Sequence, residues 1–248
     1  MVKLVSSSVV VKVPHTEPGI RRQLEVEAEV YERLGSHPNI TKFLAFKEGK
    51  IYLEKLRCTL RQRLLDIQIA GMHPPADLVL LWATQIAQAF KHIHSRGIFQ
   101  VDIATWSMLV DWYDNVKLSD FAGSSIDGSE PTMCASHHAE HPQCMSIRPS
   151  IHSELFAIGS ALYEIETFQE PYHDKDFSEI ESLFTAEQYP ETGGLILSEI
   201  IRKCWLRQYE SADEMLRDIN QIQMQMETAT PTTAEKIITE EANSASEL

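Results

Sequence analysis

The chain is 248 residues long, enough for one large domain or two small lobes that share a cleft. Its apolar content of 43% suits a globular protein with a sizeable core, and 36 acidic against 22 basic residues give a net charge of −14, which argues against a nucleic-acid or anionic-membrane surface. No run of about 18 apolar residues suggests a membrane span, Lys12 interrupts too short an apolar run for a signal peptide, and four scattered cysteines make no disulfide framework, so a reducing, cytoplasmic compartment is expected.

The predicted elements begin with "SVVVKVP", a strand closed by Pro14. Residues 17–23 suggest a loop or a first helical turn, and "RQLEVEAEVYERLG" a helix stopped by Gly35. "ITKFLAFKEG" and "KIYLEKL" form a hairpin turning around Glu48, Gly49 and Lys50. From Thr59 the pattern is mostly helical. Leu78, Leu81, Trp82, Ile86, Ala89, Phe90 and Ile93 mark a broad helical stripe that Gly97 ends. "MLVDWYDNVKLSDF" reads as strand, Asp-Asn turn and strand, and residues 127–151 as a long His-rich loop. "SELFAIGSALYEIETF" is apolar almost all round, as a buried helix should be. Ser211 and Glu214 suggest a capping box at the start of the last helix. The order predicts an α+β fold of two unequal lobes, residues 1–56 and 57–222, followed by a disordered acidic tail over 223–248.

Four charged residues sit where charge is costly. Leu24, Glu27, Tyr31 and Leu34 share one helix face, which puts Glu27 on the apolar stripe. Lys12 lies among valines. The two either pair across the small lobe or sit on an edge strand and a rim, where long side chains reach water. Asp102 and Asp120 each adjoin an apolar run, and a buried carboxylate wants a cation or a metal.

Seven stretches in order carry a resemblance. "HSRGIFQVDIATWSMLV" is similar to the catalytic loop H-R-D-L-K-P-E-N-x-L, and "KLSDFAG" to the D-F-G motif. "VVVKVP" is similar to the V-A-I-K strand, "ERLGSHPNI" to the end of the first helix and the turn after it, and "IYLEKL" to the adenine hinge. "SELFAIGSALYEI" is similar to the S-D-V-W-S-F-G helix, and "KCWLRQYESADEML" to the segment near the end of the fold. Together they resemble the protein kinase family over almost the whole chain to about residue 222, most closely the short, divergent kinase-like domains of fungi.

The resemblance implies ATP and Mg²⁺ as cofactors and a bilobal kinase-like fold. It implies that Lys12 holds the α and β phosphates and Glu27 holds Lys12. Asp120 would bind magnesium, with Ser107 as the second ligand position. Asp102 would orient the acceptor hydroxyl and take its proton. Val10 and Leu109 would sandwich the adenine, Leu53 would precede the hinge, and the backbone from Glu54 to Leu56 would read the base. Gln100 would join Tyr31, Phe43 and Phe121 in an internal column, and Glu154 would replace the family's helix aspartate and reach a nearby backbone N–H.

Several departures weigh against full activity. No glycine-rich phosphate loop is legible in "MVKLVSSS". Ser107 replaces the metal-binding Asn, a poorer ligand for a hard cation. Ala104 replaces the catalytic-loop lysine, Gln100-Val101 replaces H-R, and Ala122 replaces the glycine of D-F-G. The expectation is a degenerate nucleotide site with weak or no ATP-dependent Ser/Thr phosphotransfer, a regulatory platform for a protein partner. The alternative is an active Ser/Thr kinase using Asp102 and Asp120 on a protein substrate.

Two further features stay open. Cys134, His137, His138, His141 and Cys144 have spacing that would suit zinc or an exposed polar loop. Trp106, Trp112 and Tyr113 read as packing.

Overall fold

A four-stranded antiparallel sheet ordered β1-β2-β4-β3 forms the small lobe in the computed structural model, which describes residues 1–14 and 20–229. The strands are β1 (Val2–Leu4), β2 (Val9–Lys12), β3 (Phe43–Lys47) and β4 (Lys50–Glu54), with helix α1 (Ile20–Leu34) between β2 and β3. The loop or turn expected over 17–23 falls partly on residues 15–19, outside the described residues; from Ile20 the chain is helical. The β3–β4 hairpin turns at Glu48 and Gly49, with φ of 53° and 69°. Two successive left-handed residues match the twist of the paired strands, and that conformation favours glycine.

The rest of the chain is mainly helical, as its apolar periodicity predicts. It continues through β5 (Cys58–Thr59), α2 (Leu60–Ile69), α3 (Ala76–Ser95), β6 (Ile98–Phe99), β7 (Met108–Val110), β8 (Val116–Leu118) and β9 (Ser125–Ile126). Helices α4 (Ile151–Thr167), α5 (Phe177–Thr185), α6 (Ser198–Trp205) and α7 (Ala212–Ala229) complete it. The fold is thus α+β, with a sheet lobe and a helical lobe of the kinase-like bilobal kind.

The core centres on α3, α4 and α6. Trp82, Phe90, Phe156 and Trp205 are fully buried. Helix α4 is enclosed on nearly every side, which is why its sequence lacks a polar face. It crosses α6 so closely that a Cβ on Gly159 would lie 2.6 Å from the Cys204 Cβ, so only glycine fits there. Leu81, assigned to the α3 stripe, is instead 39% exposed, while Val79 and Leu80 are buried. The stripe is rotated because α7 and β8 both pack on this helix.

At the start of α7, Ser211 Oγ accepts from Glu214 N–H at 3.2 Å, as a capping box requires. The return bond is shifted: the Glu214 carboxylate accepts from Glu210 N–H at 2.9 Å. Helix α7 runs past residue 222 to Ala229, so the first part of the expected tail is helical; its remainder lies outside the described residues.

The β7–β8 turn ties the hinge side of the large lobe together. Asp111 Oδ1 accepts from the N–H groups of Tyr113 (2.8 Å) and Asn115 (2.9 Å). Asp114, with φ of 62°, takes both oxygens to Arg63 at 2.8 Å and one to Arg57 at 3.1 Å. Its carbonyl accepts from the Trp82 indole at 2.7 Å. Hydrogen bonding from Arg63 holds the Asp114 carboxyl below its usual range, against the opposing effect of burial. A depressed folded pKa gives stability that is present above the unfolded value and lost as pH falls through the folded one. Asp114→Asn should therefore lower stability by about 1–2 kcal/mol at pH 7. In urea melts across pH the difference should close below pH 3.8, the ordinary carboxylate value; a constant difference would mean that the ion pairs contribute nothing.

Candidate functional site

Strand β2 lies inside the sheet between β1 and β4, so Lys12 is not on an edge. Its side chain is 19% exposed and points toward α1. Nζ donates to Glu27 Oε2 at 2.6 Å and to Asp120 Oδ1 at 2.5 Å. The pairing expected between Lys12 and Glu27 is formed, and it extends to a third residue from the other lobe. Burial pulls the Lys12 pKa down, but the carboxylates of Glu27 and Asp120 more than offset this and the net shift is upward. For Glu27 burial dominates and raises the pKa, with Lys12 opposing.

Below Lys12, Tyr31 stacks on Phe43 at 5.6 Å between centroids and meets Phe121 edge-on at 5.1 Å. Gln100 is fully buried and reaches this column only through Ser119, whose Oγ lies 3.4 Å from the Tyr31 hydroxyl. Gln100 Nε2 donates to the Ser119 carbonyl at 2.8 Å, while Oε1 has no partner. A half-satisfied buried amide costs about 1–3 kcal/mol relative to a paired one.

The segment from Gln100 to Ser107 is held in a bent conformation. Val101 has φ of 74°, a left-handed geometry that a β-branched residue adopts only at a cost of about 1–3 kcal/mol. The buried Glu154 of α4 offsets this by accepting from Val101 N–H at 2.7 Å, and its other oxygen meets His94 Nε2 at 2.9 Å. This is the backbone contact expected of Glu154. Asp120 is also left-handed, with φ of 58°, a conformation that Asp tolerates better. Ala122 is not among the left-handed residues, so the missing glycine imposes no strain there.

Asp102 sits half-buried in this bend. Burial raises its carboxyl pKa and the charge of Asp120 adds to the rise, while hydrogen bonding with the Trp106 side chain works the other way. Ala104 is buried and brings no charge to the site. Ser107 is 2% exposed, and its hydroxyl donates to the Ala104 carbonyl at 2.8 Å while accepting from Ala104 N–H at 3.2 Å. Its donor and one of its two acceptor sites are thus spent on its own loop.

These groups line one cavity of about 360 Å³ between the lobes. Lys12, Glu27 and Asp120 form its polar end, with Ser107 beside them. Val10, Leu53, Leu56 and Leu109 line the apolar part, together with Glu54. The size and the apolar wall with a few convergent polar groups suit a small ligand whose polar end meets Lys12 and its carboxylate partners. At the hinge, the Glu54 carboxylate accepts from Lys42 N–H (2.8 Å) and pairs with Lys117 (2.6 Å). Lys55 N–H is used by the Ser8 carbonyl at 2.8 Å. The structure therefore brings Val10, Lys12, Glu27, Leu53, Glu54, Leu56, Ser107, Leu109 and Asp120 to the wall of one cavity, while Asp102, in the same loop as Ser107, does not line it.

The Cys/His stretch does not assemble. His138 Nδ1 meets the Pro171 carbonyl at 2.9 Å, and His141 is buried against Arg207, whose Nη1 lies 2.6 Å from its Nε2. Burial lowers the His141 pKa to about 4, with the Arg207 charge adding to it, so the ring is neutral and accepts. Among the described residues no group of three or more His, Cys, Asp or Glu side chains could hold a metal ion. The three aromatics separate as well: Trp112 is 63% and Tyr113 86% exposed, while Trp106 lines the cavity. The packing role expected for the exposed pair is not found. Sequence reasoning also missed Arg61, which lies over the Trp106 ring, 4.5 Å from its centroid. A lone arginine in a helix's first turn carries no signal in spacing.

Comparison with known proteins accords with this geometry. The chain is 28% identical over 170 residues to mitogen-activated protein kinase kinase kinase 13-B of Xenopus laevis, covering 65% of this chain and 17% of that protein. It is 26% identical over 167 residues to Aurora kinase of Saccharomyces cerevisiae, covering 63% and 44% respectively. With serine/threonine-protein kinase Nek5 of Mus musculus it shares 30% over 150 residues, covering 57% and 24%. The matches span less than half of each relative. The family profile for the protein kinase domain matches residues 3–241, nearly the whole length, and the chain belongs to the protein kinase family.

Proposed function

We propose that this chain is a kinase-fold binding platform that takes a nucleotide weakly and transfers phosphate slowly or not at all. The observation that carries this reading is the bonding of Ser107. Its hydroxyl is tied to Ala104, so a divalent cation at the two expected ligand positions would find one carboxylate, Asp120, and one hydroxyl already engaged by its own loop. Hard cations favour several charged oxygen ligands. Protein kinases in general use ATP and Mg²⁺, which together supply charge neutralisation on the transferring phosphoryl group. The residues present suit the nucleotide's base, and its phosphates and the metal only in part.

In this reading Lys12 meets the phosphates and is oriented by Glu27. The apolar wall from Val10, Leu53 and Leu109 takes the base, with hinge groups from Glu54 to Leu56 reading its edge. Since Lys55 N–H is committed to Ser8, Leu56 is the nearer donor. Asp102 orients an acceptor hydroxyl and can receive its proton, but no cation stands at Ala104 to steady the departing charge. Positioned charges of this kind are worth about 3 kcal/mol each, and their losses do not simply add.

A second reading, an active Ser/Thr kinase, is favoured by one observation. Lys12, Glu27 and Asp120 are already joined, and Tyr31, Phe43 and Phe121 are already stacked beneath them. No rearrangement would be needed to receive a nucleotide.

Nucleotide binding is expected to depend on Lys12. Saturating ATP should raise the melting midpoint of the wild type by a few degrees, with little further gain from magnesium. Lys12→Met should abolish the shift and also cost about 3 kcal/mol of stability, because it strands the buried Glu27. An ATP shift retained in Lys12→Met would place the ligand elsewhere.

Transfer itself is tested with radiolabelled ATP and a generic Ser/Thr protein substrate. The wild type should be at or near background. Restoring Ser107→Asn with Ala104→Lys should raise the rate by tenfold or more, corresponding to about 1.4 kcal/mol. Adding Asp102→Asn to that pair should return it to background. Fast wild-type transfer that Asp102→Asn eliminates would establish the second reading instead.

A further inference from the structure

A second cavity, of about 340 Å³, lies between the C-terminal half of α1 and the start of β3, and Thr41 belongs both to its wall and to that of the first cavity. This volume is enough for a small metabolite. Tyr31, Ile40 and Thr41 are buried and Phe43 is half-buried, so the inner part is mainly apolar; Glu32 and Lys42 are exposed and stand at its mouth with His37. Tyr31 and Phe43 stack on each other at 5.6 Å, and this contact draws their chain neighbours Glu32 and Lys42 to one opening.

Four polar groups here have bonding capacity left over. Thr41 is 1% exposed; its N–H donates to the Leu118 carbonyl at 2.9 Å, but its hydroxyl has no partner among the described residues. An unpaired buried hydroxyl is costly, which makes one at a cavity wall a place for a ligand's polar atom. The Glu32 carboxylate and the Lys42 ammonium form no ion pair among the described residues; Lys42 engages Glu54 only through its backbone N–H and carbonyl. His37 Nδ1 accepts from Asn39 N–H at 3.2 Å, which leaves the ring proton on Nε2, a donor with no partner among the described residues. Burial lowers the His37 pKa and the stacked His92, 4.6 Å away, adds to this, so the ring is neutral at pH 7.

A cation and an N–H donor suit a carboxylate, and the Glu32 carboxylate suits an ammonium. The apolar interior suits a flat hydrocarbon body whose far end meets the Thr41 hydroxyl. A nucleotide matches this set poorly, because Glu32 repels its phosphates, and a simple aromatic acid leaves Glu32 unpaired.

We propose that the cavity between α1 and β3 binds a free α-amino acid of the tyrosine type. Lys42 and His37 take its carboxylate, Glu32 its ammonium, and Thr41 the hydroxyl that ends its side chain. This site does not rest on the nucleotide reading, since the ligand enters from the other side of Thr41.

The test titrates the full chain with L-tyrosine and three analogues, followed by amide nuclear magnetic resonance. L-Phenylalanine lacks the phenol, N-acetyl-L-tyrosine the ammonium and L-tyrosinamide the carboxylate. Saturable shifts are expected over residues 36–43, with tyrosine bound at least about tenfold more tightly than each analogue. Glu32→Gln should erase the preference over N-acetyl-L-tyrosine, Lys42→Gln that over L-tyrosinamide, and Thr41→Val that over phenylalanine, each leaving the other two preferences in place. Glu32 and Lys42 are exposed, so their variants keep the fold, which thermal melting checks; if Thr41→Val does not fold, the wild-type comparison of tyrosine with phenylalanine still decides the role of that hydroxyl. Equal binding of tyrosine and its analogues, shifts centred on Cys58 and Leu109 in the first cavity, or no saturable response from the folded wild type would overturn the site. None of these measurements involves nucleotide or turnover, so the outcome is separable from that of the transfer assay.

Discussion

Lys12 is a cation shared by both lobes at the polar end of the cavity. It joins Glu27 of α1 to Asp120 of the large lobe through bonds of 2.6 and 2.5 Å. Glu27 is almost wholly buried, and a carboxylate in that position is tolerable only because the ammonium is there. The same contact fixes the angle of α1 against the sheet. It brings Tyr31, one turn further along, onto Phe43 and Phe121, so the cavity wall and the aromatic column beneath it depend on one ion triad.

A second constraint lies under the first. The bend that presents Asp102 requires a left-handed residue at Val101, where the side chain is poorly suited to it. Glu154 holds the bend through a backbone N–H, and His94 holds Glu154. The binding machinery is therefore supported from the core of the large lobe, where α4 is most enclosed. A strained segment that is over-determined by buried contacts keeps its shape even where some of its side chains have changed. This explains how the loop can hold its bend whichever side chains stand at Ala104 and Ser107. The geometry depends on the backbone and on Glu154. The chemistry depends on the side chains that face the cavity.

Those side chains divide by what they touch. Val10, Leu53, Leu56 and Leu109 offer an apolar wall that makes no demand on charge. Ser107 turns inward to Ala104, and Trp106 turns outward to Arg61. On the Trp106 side of the loop the carboxylates of Glu164 and Glu170 are paired within the chain, by Arg61. In the proposed reading, binding would be retained at the expense of positioned charge, the component on which phosphoryl transfer chiefly relies.

Local features were legible along the chain. Apolar periodicity placed α1 and α3, all-round apolarity placed α4, Glu48, Gly49 and Lys50 placed the hairpin, and the Asp114-Asn115 pair marked the β7–β8 turn, because each depends on neighbours within a few residues. The misplaced charges at Lys12 and Glu27 signalled a partner each, and the motif order supplied the family. Long-range packing settled the rest. That Lys12 also reaches Asp120 depends on how two lobes meet across a separation of 108 residues. The Arg61–Glu164 bond spans 103 residues, so no spacing rule could announce it. The Cys/His stretch had ligand-like spacing, yet His138 and His141 were drawn to Pro171 and Arg207, because buried polar atoms take the partners that packing brings within reach. Spacing along the chain limits which side chains can share a face; only the packed fold sets which of them meet.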